Sequence, residues 1–186
     1  LAGLRYLVSR SGPLSMSVNQ GGAFFRTDGA DGRPDAQLYI LPMSFRTNPA
    51  VRREPLVVDR EPGMIINVSP CRPQSRGRIA IRSSDAHAAP SIEARYYSAP
   101  ADMRVMIDGL RFIQRLSRTP PLSDAIAARL RPEGPLESDE DFERYARSAS
   151  KTCFHPSGTC AMGPDPRTHV VGPDLRVHGI DALRVI

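Results

Sequence analysis

His155 opens the densest run of chemistry-bearing residues in this 186-residue chain, the decapeptide HPSGTCAMGP that ends at Pro164. An imidazole titrates near working pH, so it can take a proton from a hydroxyl group and release it within one turnover. Pro156 fixes its own φ and pushes His155 toward an extended backbone. Gly158 and Gly163 permit dihedrals and close approaches that a Cβ forbids. The segment reads as a loop able to hold one imidazole against a flat ligand; the competing reading of a single histidine is a satisfied packing group.

Other ligand-type residues lie close by. Cys153, His155, Cys160 and His169 fall within seventeen positions and raise the possibility of zinc. Their C-x-H-x4-C-x8-H spacing matches none of the paired-ligand hairpins in which two ligands grip the metal from one tight turn, so no metal site is expected. Cys71, Cys153 and Cys160 are an odd number in a chain large enough to build a core, which argues against a disulfide framework. Cys153 and Cys160 are expected as small buried thiols packing the loop. His87 sits in an alanine-rich loop, His169 in a polar turn, and His178 at a strand end, where a structural role is expected.

The elements that must carry the loop follow from periodicity and punctuation. Leu1 to Arg10 reads as the end of a helix, stopped by SGP. Gly22 to Thr27 and Gln37 to Ser44 read as strands separated by the turn-forming DGADGRPD run. Met64 to Cys71 and Arg78 to Ser83 read as further strands, made antiparallel neighbours by the PQSRG turn, with Ile79 and Ile81 on a half-buried face. From Asp102 to Arg118 the period becomes helical, with Val105, Leu110, Phe112, Ile113 and Leu116 forming an apolar core stripe. A polar helix is predicted over Ser138 to Ser150, where Ser138 caps and Asp141 stands three residues on. Ala182 to Ile186 reads as a last strand. Eighteen prolines and 14 glycines divide these elements into one α+β unit built on an antiparallel sheet.

Continued into VVGPDLRVHGIDALRVI, the His155 segment closely resembles the C-terminal signature of the glucose-methanol-choline (GMC) flavin oxidoreductases: H-x-x-G-T-C-x-M-G, then VV-x-PDLRVHG, then LRV. Ser75 to Leu116, beginning SRGRIAIRSS, resembles the family's stretch in which a strand carrying SRG precedes an extended segment and a helix. Gly12 to Thr27, GPLSMSVNQGGAFFRT, is similar to its substrate-domain entry. The resemblance implies a mostly antiparallel sheet backed by helices, with residues 1–154 as a substrate-binding domain. It implies that residues 155–186 are the catalytic loop and part of a return segment toward an FAD-binding domain.

The resemblance further implies oxidation of a CH–OH group by hydride transfer to FAD, with His155 as the base. No G-x-G-x-x-G opens a βαβ unit here, and the family keeps those glycines near the start of its full-length members. FAD is therefore expected to be held mainly by regions outside this sequence, and a second catalytic His or Asn to lie beyond Ile186. The 186 residues alone are expected to be inactive. In choline-type members the stretch after GPL commonly carries a glutamate where this chain has Gln20. A small alcohol without positive charge is the expected substrate, with Gln20 either a substrate contact or a member of a strand hydrogen-bond network.

Charge and hydropathy narrow the remaining classes. The net charge is +5 and the pI near 9.6. The basic residues are scattered arginines, with Lys151 the only lysine, without tryptophan or interleaved stacking aromatics, so nucleic-acid binding is not expected. No apolar run is long enough to span a membrane, and the cytoplasm is the expected location. The alternative to an enzyme is a stand-alone, non-catalytic binding or scaffold domain that kept the loop and lost the flavin half. An upstream G-x-G-x-x-G strand-turn-helix unit would decide for the enzyme.

Overall fold

The computed structural model describes residues 2–28, 32–46 and 57–186, which form two compact units: Leu1–Arg76 with Arg95–Ser150, and Gly77–Ala94 with Lys151–Ile186. The fold is α+β with antiparallel sheets, as expected. Part of the DGADGRPD turn, residues 29–31, lies outside the described residues.

In the first unit, helix α1 (Ala2–Ser9) precedes a sheet of β1 (Gly21–Phe25), β2 (Ala36–Leu41) and β5 (Ile65–Pro70). The spatial order is β1-β2-β5, with every pairing antiparallel. β2 is central because its alternating Ala36 and Leu38 are buried on one face, and Leu38 stands opposite both Ala23 and Val68. The ends of β1 and β2 are tied by Asp35, which accepts from the Thr27 N–H at 2.8 Å and the Thr27 hydroxyl at 2.5 Å. A two-stranded ribbon joins β3 (Phe45–Arg46) to β4 (Val57–Val58).

Helix α2 (Pro100–Leu116) packs against this sheet and against α4 (Asp139–Ala149), while α3 (Leu122–Ala125) is a single turn between them. Ser138 caps α4 as expected, and the cap is reciprocal, the Asp141 carboxylate accepting the Ser138 N–H at 3.1 Å. Arg104 and Arg111 both reach Asp139, and the Arg111 guanidinium lies 5.1 Å from the Phe142 ring centroid, joining the two helices at their polar seam.

The buried stripe of α2 differs from the sequence expectation. Met103, Met106 and Ile107 enter the core with Phe142 and Ala146, and Leu110 packs at its margin. Val105, Phe112, Ile113 and Leu116 are only half-buried. The sheet chose the face: Gly109 lies against Val68, so the helix turns its smallest residue to β5. A Cβ at Gly109 would stand 2.6 Å from the Val68 side chain. Gly109→Ala is accordingly expected to destabilise the protein by about 1–3 kcal/mol, because overpacking outweighs the roughly 1 kcal/mol gain in helix propensity. Thermal melting of the two proteins checks this, and a more stable alanine variant would show that α2 does not press on β5.

β5 and β6 (Arg78–Ala80) are not the antiparallel neighbours that PQSRG suggested. β5 pairs with β2, and β6 pairs with β7 (Ser91–Glu93), a strand the sequence reading missed. Asp102 captures the intended turn instead. Its carboxylate accepts the N–H groups of Gln74 at 2.7 Å and Ser75 at 2.9 Å, and the Ser75 hydroxyl oxygen accepts the Ala99 N–H at 3.0 Å. Those donors are fixed to the first turn of α2 and cannot close a hairpin. Ile79 is 51% exposed and Ile81, past the end of β6, 91%, so the half-buried face expected there is absent from this chain.

Candidate active site

The His155 loop belongs to the second unit, where single-residue bridges and turns replace long strands. Its first half departs from ordinary backbone. The Phe154 N–H donates to the Thr152 hydroxyl at 3.0 Å, and Phe154 takes φ +59 and is 84% exposed. His155 follows, exposed. Gly158 takes φ +91, a conformation that a side chain would strain.

The second half of the loop is clamped. The Val170 N–H donates to the Ala161 carbonyl at 2.8 Å, and the Gly163 N–H to the Val171 carbonyl at 2.9 Å. Val171 is 2% exposed and bridges both Met162 and Val177, so it forms the centre of the unit. Gly163 is needed for a close approach, since a Cβ there would run into the His169 ring. The His169 ring nitrogen Nδ1 lies 3.2 Å from the Asp165 carbonyl and 3.0 Å from the Thr168 hydroxyl. His178 places Nε2 2.9 Å from the Gly163 carbonyl. Asp165 is held below the usual carboxylate range by the Arg167 guanidinium and its N–H.

The sequence-predicted residues belong to different units. Gln20 lies in the first unit, where its N–H extends the β1 ladder to the Ile40 carbonyl at 3.0 Å and its side-chain amide donates to the Ser17 carbonyl. His155 lies in the second. His87 is exposed in a turn around Asp85, while His169 and His178 are half-buried in the clamp. What the sequence reading missed is that both grip the stem of the His155 loop; the close approach allowed at Gly163 was the available signal.

Two expectations change here. Cys153 and Cys160 are exposed free thiols, not buried packing groups. Only Cys71 is partly buried, and burial pushes its thiol up. Ala182 to Ile186 is not a strand. Ala182 takes φ +59, and the segment returns through a lone Arg176–Arg184 bridge and a bond from the Val185 N–H to the Leu175 carbonyl at 3.1 Å. Among the described residues no cluster of three or more His, Cys, Asp or Glu could hold a metal ion.

The profile of the GMC oxidoreductase family matches residues 73–186, more than half of the chain and all of the His155 loop and clamp. The chain belongs to the GMC oxidoreductase family. A GMC-type oxidoreductase of Mycobacterium tuberculosis (strain ATCC 25618 / H37Rv), itself uncharacterized, is 38% identical over 185 residues, 98% of this chain and 34% of the relative. An oxygen-dependent choline dehydrogenase of Burkholderia pseudomallei (strain K96243) is 34% identical over 184 residues, 99% of this chain and 31% of the relative. A solved formate oxidase of Aspergillus oryzae RIB40, studied for its FAD modification, superposes with a TM-score of 0.82 at 25% identity, covering 99% of this chain and 36% of its own. The chain thus spans about a third of the length of the GMC relatives it matches. No helix among the described residues is long and apolar enough to cross a membrane.

Proposed function

We propose that this chain is the substrate-binding part of an FAD-dependent alcohol oxidoreductase, that residues 155–186 face its FAD-binding domain, and that His155 is the base. The observation that carries this reading is an exposed imidazole on a loop bent by Phe154 and Gly158 and anchored by a buried clamp. The residues present suit the ring end of a flavin. Phe154, Met162 and Ile180 in the same unit are 84%, 56% and 54% exposed, apolar surface of the kind that a flat ring covers. A pyrophosphate site is assigned to the rest of the protein, since no glycine-rich βαβ turn occurs in this sequence.

A bound flavin supplies the acceptor for a hydride from the alcohol α-carbon. The His155 imidazole takes the hydroxyl proton as the carbonyl forms, so the C–H electron pair and the proton leave by separate routes. The test is to purify the full-length protein and mix it without oxygen with a neutral primary alcohol. A yellow protein that bleaches is expected. A protein that carries no flavin, or whose flavin stays oxidised across a panel of alcohols, contradicts the proposal.

Gln20 directs the substrate proposal. A quaternary ammonium entering a closed site needs a carboxylate or an aromatic cage to offset its lost hydration, and a neutral amide donating to Ser17 provides neither. Despite the likeness to choline dehydrogenases, kcat/KM for a neutral primary alcohol is expected to exceed that for choline by more than about tenfold. Steady-state comparison of the two substrates decides it; equal efficiencies would remove Gln20 from the argument.

A further inference from the structure

The His155 loop is held much more firmly at one end than along its length. Between Lys151 and Cys160 the described backbone makes no backbone–backbone hydrogen bond, whereas Ala161 and Gly163 make three with Val170 and Val171. Whatever fixes Gly163 therefore fixes the stem from which His155 is presented, eight residues upstream.

Two imidazoles act on that stem from different sides. The His169 ring occupies the space where a Gly163 side chain would be. His178 meets the Gly163 carbonyl through Nε2 at 2.9 Å. A carbonyl oxygen only accepts, so Nε2 must carry the proton and the ring is a donor in both its neutral and charged forms. The His178 backbone is itself fixed, its N–H donating to the Val170 carbonyl at 3.0 Å. Its Cε1 would lie 3.6 Å from a Cβ placed on Gly172, so that neighbouring glycine gives the ring room without being crowded by it. Gly163 is buried, which leaves its carbonyl no ready solvent replacement if the donor is lost.

We infer that His178 is a positioning residue for the His155 chemistry: its Nε2–H holds the Gly163 carbonyl and thereby sets the placement of the catalytic loop. The inference rests on the proposed role of His155. It differs from a general packing role because it depends on one N–H donor at one reach. Glutamine, whose side-chain amide N–H extends about as far as imidazole Nε2, is expected to serve in its place, and alanine is not.

The test uses the full-length, flavin-loaded protein with His178→Ala and His178→Gln. Two quantities are read: the limiting rate of flavin reduction by a neutral primary alcohol in a single turnover, and hydrogen exchange of the amides in residues 155–163. In His178→Ala the rate is expected to fall by about 10–10²-fold, as for a reacting group displaced by about 1 Å, with the half-saturating alcohol concentration little changed and exchange in the loop accelerated. His178→Gln should return both to near wild type. Wild-type rate in His178→Ala, or equal loss in both variants, overturns the inference. If His178→Ala does not retain flavin, the glutamine variant alone decides, a near-normal rate supporting the inference and a loss beyond tenfold overturning it. Failure of the His155 reading shows separately, as an unimpaired His155→Ala, whereas failure of the clamp shows as unaltered exchange in His178→Ala.

Discussion

Replacing His155 with alanine in the full-length enzyme should lower kcat by about 10²–10⁴-fold, the usual worth of a positioned general base, while flavin content stays at the wild-type level. On the proposed mechanism the imidazole acts only as the alcohol begins to lose its proton, so the interaction is made in the transition state and KM should change little. Flavin binding is spared because the side chain is exposed and no interaction of the described fold depends on it. Steady-state kinetics with the flavin absorbance as a loading control measures both effects. A rise in KM at constant kcat would mean that His155 contacts the alcohol without moving its proton.

The largest stability effect is expected at Asp102. This carboxylate is 4% exposed and accepts the N–H groups of Gln74 and Ser75 from the first turn of α2. Burial raises its pKa, but the Ser75 hydroxyl, the two N–H groups and nearby Arg76 outweigh burial and hold the carboxyl below the usual carboxylate range. Asp102→Ala leaves the Gln74 and Ser75 N–H groups without their charged acceptor and should destabilise the protein by about 2–4 kcal/mol. Because the folded-state pKa is the lower one, the contribution is complete above about pH 4. It is lost as pH falls through the lowered folded value. Thermal melts of wild type and variant should differ by on the order of 10 °C near neutral pH and converge in acid. A difference under about 2 °C at neutral pH would show that the SRG turn is held by something else.

The parts of this fold that were legible in the sequence are those governed by local chemistry. Ser138 and Asp141 announced the α4 cap, and the change of period after Asp102 announced α2. The strands β1, β2 and β5 were readable from short bounded apolar runs. Pairing was not. Whether PQSRG closes a hairpin depends on Asp102, 27 and 28 residues from the donors it binds, and no local pattern reports that. The α2 stripe was misread for a related reason, since Gly109 against Val68 selects a face that hydrophobicity alone does not mark. At the site, Gly158 and Gly163 signalled special backbone correctly. Cys153 and Cys160 were misplaced because apolar character predicts burial only where a neighbour exists to bury against.

On the proposed mechanism His155 removes the hydroxyl proton during flavin reduction, and rapid anaerobic mixing isolates that step from oxygen chemistry and product release. The measurement is the limiting rate of flavin bleaching by a neutral primary alcohol, compared between wild type and His155→Ala at equal flavin content. A drop of about 10²–10⁴-fold with the flavin still bound is expected. Near-normal bleaching in the alanine variant would contradict it and leave His155 an exposed loop residue with no part in the chemistry.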